Sequence, residues 1–294
     1  MSELSTRVVR RAGRAGRAGP SWAAWLASLL VAGSALSAST ADAQRGGERR
    51  GFGYDRYFAP VAPTDFYQPP AFAGNVPYDG RFTFARIKYR GSERWSGREG
   101  PGWSHDYPDA EEHFMRIMHE VTSLDPFIAR GPMLGGVIVA LDDPLLFKYP
   151  VAYLSEPGGW HPTVKEQEGL RTYLRKGGFL IVDDFPYFNW GNFQQVVAAV
   201  LPGARLFQLT GREPIFDAFY QIDLSIIRSE YDGTPTYFGI YEDNDPTKRL
   251  MMIANYVNDI GESWQWSGQG WFPVAESNEA YKLGVNYLIY ALTH

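Results

Sequence analysis

The 294-residue sequence contains no cysteine, which excludes disulfide bonds, thiolate nucleophiles and cysteine-ligated zinc or iron–sulfur sites. Four common catalytic or cofactor-binding patterns are also missing: the G-x-S-x-G nucleophile elbow, the G-x-x-x-x-G-K-[S/T] phosphate loop, the G-x-G-x-x-G dinucleotide loop and the H-E-x-x-H zinc motif. Any chemistry must therefore use oxygen or nitrogen groups of the chain, or a cofactor. The sequence itself requires no cofactor.

Basic residues are outnumbered by acidic ones, 28 against 33, which gives a formal net charge of -5. Binding of nucleic acid needs a concentrated excess of Lys and Arg, so we expect no DNA or RNA partner. Apolar and aromatic residues are abundant, at 45% and 15% of the chain. That content is enough for the buried core of one large domain or two small ones.

The amino-terminal segment differs in character from the rest of the chain. A series of arginines precedes an apolar run over about residues 22–36, and the small-residue pattern Ala-Asp-Ala ends at Ala43. This order predicts a secretory signal peptide over residues 1–43, cleaved between Ala43 and Gln44. We therefore expect a periplasmic or secreted protein that meets a membrane only during export. An uncleaved anchor is the alternative, and a pair of adjacent arginines leaves general or twin-arginine export open.

Residues 44–80 are rich in Gly, Pro, Arg and aromatic residues and show neither a helical nor a strand period. We interpret this segment as a linker or a loosely draped arm. Its aromatic residues could pack on the domain or on a partner. The globular part is predicted to run from residue 81 to residue 294.

The stretch from Val151 to Phe185 indicates the fold class. It contains two short apolar runs on either side of a helix, and Thr163 and Glu166 at the start of that helix have capping-box spacing. A helical crossover between two buried strands makes those strands parallel, and parallel sheets need helices on both faces. We therefore predict a doubly wound, mostly parallel α/β sheet.

Other segments extend this prediction. Two strands over residues 237–242 and 250–257, on either side of an Asp-Asn-Asp-Pro turn, predict an antiparallel hairpin in the carboxyl-terminal part. Helices are expected to begin at caps provided by Asp109 and Ser277. The section from Pro214 to Asp232 is apolar without a period that distinguishes helix from strand.

Acidic residues follow several of the predicted strands, at the edge where ligands bind in open parallel sheets. With one histidine and one asparagine, these candidate catalytic or ligand-binding residues are Asp142, Asp143, Glu156, His161, Asp183, Asp184, Asn258 and Asp259. If the strands are parallel, these side chains converge on one edge. Carboxylates with a histidine suit a hard divalent cation, or an acid/base pair. The alternative is that each Asp forms a turn or caps a helix.

Tryptophans form a second candidate set. Trp160, Trp264, Trp266 and Trp271 lie in segments rich in Gly, Ser and Gln, and such aromatic rings could stack on a sugar. We therefore include Trp160 among the ligand-binding candidates. The alternative is that these rings fasten long loops to the core.

Several of these segments together resemble the DUF4159 family of bacterial proteins. The residues that carry the resemblance are Leu141 to Pro150, Tyr153-Leu154, Glu168 to Tyr173, Gly177 to Leu180, Asp183-Asp184 and Asn258 to Gly261. The resemblance covers roughly residues 81–294. It implies a fold similar to class I glutamine amidotransferases and flavodoxin-like sheets, and it implies no established activity. Those amidotransferases use a cysteine, so their route to glutamine hydrolysis is excluded here.

The sequence leaves three functions to be weighed. The first is an exported domain that binds a small molecule or an envelope protein at the carboxyl edge of the sheet. The second is a metal-assisted or acid/base hydrolase of a carbohydrate, using Asp183, Asp184, Glu156 and His161. The third is a cell-envelope scaffold that works through the arm at residues 44–80. A divalent cation is compatible with the first two.

Overall fold

The computed structural model describes residues 75–90, 102–128 and 136–294. The predicted signal peptide, its cleavage point between Ala43 and Gln44 and most of the arm lie outside these residues. The expectations of export and of a scaffold role for the arm therefore stay predictions. Among the described residues, no helix has both the length and the apolar character needed to cross a membrane.

One mixed sheet of seven strands forms the centre of the domain. Its strands are β1 (Phe84–Lys88), β2 (Gly136–Ala140), β3 (Val151–Ser155), β4 (Phe179–Phe185), β5 (Phe207–Leu209), β6 (Thr236–Tyr241) and β7 (Leu250–Tyr256). They lie in the order β2-β1-β3-β4-β7-β6-β5. The first five in that order pair in parallel, whereas β6 pairs antiparallel with both β7 and β5. The predicted mostly parallel α/β sheet and its antiparallel hairpin are confirmed.

Helices supply the two apolar layers that cover the sheet. They are α1 (Asp109–Val121), α2 (Val164–Arg175), α3 (Trp190–Val200), α4 (Ile260–Gln265) and α5 (Val274–Thr293). Buried side chains of α2 and α3 pack with Ala152 and Leu154 of β3 in one cluster. Those of α1, α4 and α5 pack with Val151 and Tyr153 in a second cluster. Because side chains alternate along a strand, β3 contributes to both layers.

Helix starts show where local sequence patterns were sufficient. The capping box of α2 is present in full, with the Thr163 hydroxyl and the Glu166 carboxylate each accepting a backbone N–H. The caps predicted at Asp109 and Ser277 are wrong. Asp109 is the first helical residue of α1, directly after Pro108, and Ser277 lies within α5, which begins directly after Pro273. Proline is tolerated at a helix start because its missing N–H group would have no partner within the helix there. Residues 214–232 form neither predicted element and contain two short 3-10 turns.

The order of the strands indicates where a ligand-binding crevice can form at the edge of the sheet. The order in which the chain adds strands to the sheet reverses at β1, because β2 lies on one side of β1 and β3 lies on the other. Loops diverge at such a point and leave a crevice beyond the carboxyl ends of the strands. The described loops that leave β1, β3, β4 and β7 all begin at this edge.

Close packing of α2 against the sheet depends on a glycine. A Cβ atom at Gly169 would overlap the backbone carbonyl oxygen of Leu141, whereas one at Gly191 on α3 would meet no atom within 4 Å. We expect Gly169→Ala to lower the free energy of unfolding by about 1–3 kcal/mol, since α2 must shift outward. Gly191→Ala is the matched control and should cause no loss. Urea unfolding of both variants tests this, and equal stability of the two would contradict it.

Candidate metal centre

Four side chains meet at the carboxyl edge of the sheet. His105 and Asp106 lie in the loop between β1 and α1, Asp184 lies near the end of β4, and Asp259 directly precedes α4. One ligand atom from each lies within 4.8 Å of those of the others. The three carboxylates are buried, and His105 is partly exposed. We refer to these four residues as the His105 cluster.

Asp184 is the best-satisfied member of the His105 cluster. Its Oδ2 lies 2.6 Å from Nδ1 of His105 and accepts a hydrogen bond of 3.1 Å from Oγ of Ser155. The Tyr231 hydroxyl donates to its Oδ1. Burial would raise the pKa of the Asp184 carboxyl, but the positive charge and hydrogen bond of His105, with the Tyr231 hydrogen bond, hold that pKa below its ordinary value.

A β-bulge brings Asp184 into this position. Pairing between β4 and β7 shifts after Val182 and resumes at Phe185, so that one extra residue is accommodated on β4. Asp184 has a φ of 55°, which is uncommon for a residue other than glycine. Bulges of this kind re-aim side chains next to functional sites.

Asp106 is the least-satisfied member. It is 2% exposed and has a φ of 63°. Neither of its carboxylate oxygens accepts a hydrogen bond from an N–H or O–H group of the described residues. Its nearest neighbours include the Glu262 carboxyl group, and two carboxyl groups can hydrogen-bond only by sharing a proton. Burial, only partly offset by His105, raises the pKa of Asp106 well above its ordinary value, and the charges of Glu262 and Asp184 raise it further.

Asp259 connects the His105 cluster to a second set of acids. Its Oδ1 accepts the backbone N–H of Glu262 at 2.8 Å, which caps α4. Ligand atoms of Glu230, Asp259 and Glu262 also lie within 4.8 Å of one another, and we refer to these three residues as the Glu230 cluster. Burial first, and then the negative charges around them, raise the pKa values of Asp259 and Glu230 well above the ordinary range.

Asp183 serves the fold at this edge. Its Oδ1 accepts from Nδ2 of Asn255 at 2.8 Å, and its Oδ2 accepts from the Tyr153 hydroxyl at 2.7 Å. The same Oδ2 accepts the backbone N–H groups of Ile260 and Gly261 at 3.1 and 3.0 Å. Burial raises the pKa of Asp183 to about 6, although these hydrogen bonds favour the carboxylate. Asp183 therefore ties β4 to β3, β7 and the start of α4.

A buried ion pair positions the loop that carries His105. Arg86 on β1 pairs with Glu111 on α1, and both side chains are 1% exposed. The Nη1 of Arg86 donates to the backbone carbonyl oxygens of Trp103 at 3.1 Å and His105 at 2.7 Å. Arg86 thus attaches the loop to β1.

A cavity of about 230 Å³ adjoins the two clusters. Glu230, Asn258, Asp259 and Ser263 line the part nearest the acids. The rest of its wall combines apolar residues (Ile226, Ile227, Ile260, Phe272, Ala275 and Ala280) with polar or charged ones (Arg228, Ser229, Glu276 and Glu279). Asp259 and Glu230 therefore face both a cluster and a space into which a ligand could enter.

The structure brings together some of the sequence-predicted residues. Asp184 and Asp259 belong to the His105 cluster, and an Oε1 of Glu156 lies 4.0 Å from Nδ1 of His105. Asn258 lines the cavity and donates to the Tyr237 hydroxyl at 3.2 Å. Asp183 is next to the cluster but makes the structural contacts described above.

The remaining candidates lie elsewhere. Asp142 is exposed, and Asp143 accepts the backbone N–H of Leu145 as the cap of a short 3-10 helix. His161 is exposed in the loop before α2. Trp160 is fully buried and presents no ring face to a sugar. No described contact joins any of these four to the His105 cluster.

Among the tryptophans near the carboxyl terminus, two arrangements occur. Trp264 is buried and stacks on Phe114 with ring centroids 4.3 Å apart. Trp266 packs against Trp271, which is 62% exposed. Only the second pair could offer an aromatic surface to a ligand.

Sequence reasoning missed His105, Asp106, Glu230 and Glu262. A signal for the first two was available, because they follow β1 and loops after parallel strands reach the same edge as Asp184 and Asp259. Glu230 lies at the end of the section that had no clear period.

The side chains of the two clusters are suited to binding a metal ion. Carboxylate oxygens with one imidazole form a set of ligands for hard or borderline divalent cations such as Mg²⁺, Mn²⁺, Ca²⁺ or Zn²⁺.

Comparison with curated proteins gives no match. Comparison with protein families gives a match over residues 83–292 to the family described as "Domain of unknown function (DUF4159)". The matched region contains every described strand, every described helix except the last residue of α5, and both acidic clusters. The resemblance that the sequence motifs indicated is confirmed, and the chain belongs to the DUF4159 family.

Proposed function

We propose that this domain binds a divalent cation at the His105 cluster and, through that cation, a small ligand in the adjoining cavity. The observation that carries the proposal is Asp106, a buried carboxylate in a strained backbone conformation whose two oxygens receive no hydrogen bond from the described donors. Strain and unmet hydrogen-bonding capacity persist where function requires them. A cation would satisfy both oxygens.

The charges support a cation in particular. Asp106, Asp184 and Asp259 are buried within 4.8 Å of one another, and His105 is the one basic group of that cluster. Buried carboxylates are costly unless they are paired or coordinate a metal. A divalent ion at their centre would compensate charge that the imidazole alone cannot.

The cavity supports a ligand that reaches the cation. Its volume of about 230 Å³ is smaller than most drug-sized pockets, so it suits a compact molecule. The apolar part of its wall would hold the body of the ligand, and Asp259 marks the end at which an oxygen atom could complete the coordination of the cation. The ligand-binding function expected at this edge is thus the one that the geometry favours.

Thermal unfolding of the purified protein tests the cation. We expect the melting temperature to rise with the logarithm of the concentration of at least one of Mg²⁺, Mn²⁺, Ca²⁺ and Zn²⁺, since a ligand selective for the folded state stabilises it. Asp106→Asn should abolish that rise without lowering stability in a chelator, because it removes a repelling charge. Asp142→Asn, at an exposed position, is the control. No rise with any cation would overturn the proposal.

A metal-assisted hydrolase is the second candidate. The observation that favours it is a His105 imidazole and a Tyr231 hydroxyl on opposite oxygens of Asp184, beside the cavity. A cation held by the three carboxylates of the His105 cluster could activate water, and in this candidate His105 transfers a proton instead of ligating the cation. Hydrolysis of a panel of small glycosides and esters that depends on the cation and is lost in Asp184→Asn would support it. A fully inactive panel with cation bound would favour binding alone.

We also propose that the protein is exported, on the strength of the amino-terminal segment. Expression of the full chain in a bacterial host, followed by fractionation and amino-terminal sequencing, should recover a periplasmic or secreted form that begins at Gln44. A cytoplasmic product that retains residues 1–43 would contradict this.

A further inference from the structure

We infer that the acidic edge holds two divalent cations, one in the His105 cluster and one in the Glu230 cluster, bridged by shared carboxylates. This inference rests on the proposed function, because it extends the same site to a second ion. The class of ligand is therefore a pair of hard divalent cations, such as Mg²⁺ or Mn²⁺.

The two clusters carry more negative charge than one divalent cation can offset. The two clusters together contain the five carboxylates of Asp106, Asp184, Asp259, Glu230 and Glu262 and a single imidazole. A single divalent cation would offset two of their negative charges when all are ionised, and two cations would offset four. Because most of this charge is buried, the arrangement with two cations leaves far less of it uncompensated.

Some carboxylates lie between the two clusters and could contact both cations. Asp259 belongs to both clusters. Asp106 belongs to the His105 cluster and lies against Glu262 of the other, and it has two buried oxygens without a described donor. A carboxylate with two open oxygens between two sets of ligands can bridge, with one oxygen for each cation. The Oε1 atom of Glu230 is also buried and has no hydrogen-bond partner among the described residues, so it can act as a ligand of the second cation.

The spacing between the clusters agrees with a bridged pair. The Nε2 of His105 lies 3.9 Å from the Oε2 of Glu262, so groups that would hold different cations are near neighbours. Cations in two-metal sites are about 3.5–4 Å apart. A carboxylate with one oxygen on each cation is compatible with that separation, and Asp106 and Asp259 are the carboxylates that lie between the two clusters.

The cavity gives the two cations different roles. Glu230 and Asp259 line it, whereas His105, Asp106 and Asp184 do not. The second cation is therefore the nearer of the two to the cavity, and a ligand that binds it would reach the first cation at the shared Asp259. The first lies deeper, where Ser155 and Tyr231 also orient Asp184.

Manganese provides the test, because it can be counted and its spectrum reports neighbouring ions. We expect titration calorimetry of the purified, chelator-treated protein to give two Mn²⁺ per chain, and electron paramagnetic resonance to show a spin-coupled pair. The double variant Glu230→Gln/Glu262→Gln should bind one Mn²⁺ with the spectrum of an isolated ion. Asp142→Asn, at an exposed position outside both clusters and the cavity, is the control and should retain two.

Other results of the Mn²⁺ titration would contradict the inference in different ways. One Mn²⁺ in the unsubstituted protein would overturn the pair and leave the proposed single-cation function standing. No bound Mn²⁺ would also overturn the pair, and the proposed function would fall with it only if none of Mg²⁺, Ca²⁺ and Zn²⁺ raises the melting temperature either. Two uncoupled ions would overturn the shared carboxylates. If the double variant does not fold, as judged by circular dichroism, Glu230→Gln alone should weaken the second binding step by at least about tenfold and leave the first unchanged. Equal weakening of both steps would contradict two distinct positions.

Discussion

Replacement of Arg86 with methionine is expected to lower the free energy of unfolding by about 3–5 kcal/mol, because it would leave the Glu111 carboxylate buried and unpaired. The loss has a second component. Arg86 also donates to the carbonyl oxygens of Trp103 and His105, and those acceptors would lose their buried donor. Urea unfolding monitored by far-ultraviolet circular dichroism measures the effect.

Two further variants isolate the cause. The double variant Arg86→Met/Glu111→Leu removes both charges, so it should lose less stability than Arg86→Met alone. Arg116→Met is the matched control, since Arg116 forms a mostly exposed pair with Glu112 at 3.7 Å on the same helix that carries Glu111. Such exposed pairs contribute at most about 1 kcal/mol. A loss in Arg86→Met no larger than that in Arg116→Met would contradict the role of the buried pair.

Much of the fold could be predicted from local sequence. The strand–helix–strand unit from Val151 to Phe185 was recognisable because its cap at Thr163 and its apolar runs are short-range features. Its crossover then required parallel strands, and the observed pairing of β3 with β4 is parallel. The hairpin of β6 and β7 was recognisable for the same reason, since its turn residues are contiguous.

Only those residues of the candidate site that come directly after a predicted strand could be identified from the sequence. Asp184 and Asp259 were identified because each comes after a parallel strand, but the pattern could not distinguish Asp184 from Asp183. Adjacent residues on a regular strand point to opposite faces. The bulge in β4 and the positive φ of Asp184 determine which carboxylate faces His105. Neither feature could be recognised from the sequence pattern.

The missed residues depend on contacts between distant segments. The position of His105 and Asp106 follows from Arg86, 19 residues before His105, and from Glu111 on the next helix. Glu230 follows an irregular section in which only short 3-10 turns form, so no period places it. Sites assembled from such loops need the tertiary structure, because the scaffold rather than local propensity fixes them.

Asp183 gives the second large effect on stability. Replacement with alanine would remove the acceptor of four buried donors: the amide of Asn255, the hydroxyl of Tyr153 and the backbone N–H groups of Ile260 and Gly261. Each unsatisfied buried donor costs about 1–3 kcal/mol, so Asp183→Ala should lose at least about 4 kcal/mol. Urea unfolding in the presence of a chelator measures this loss without any contribution from a bound cation.

Asparagine at the same position separates shape from hydrogen bonding. Asp183→Asn keeps the volume, but its amide NH₂ must replace one of the two oxygens, and each oxygen faces a donor. One buried donor would then meet another, and we expect a loss of about 1–3 kcal/mol, between that of alanine and none. Asp143→Asn, which removes charge from a carboxylate that accepts a single backbone N–H of Leu145, is the control for a minor change. If Asp183→Asn is as stable as the unsubstituted protein, the carboxylate does not tie β4 to the start of α4 in the way its four contacts indicate.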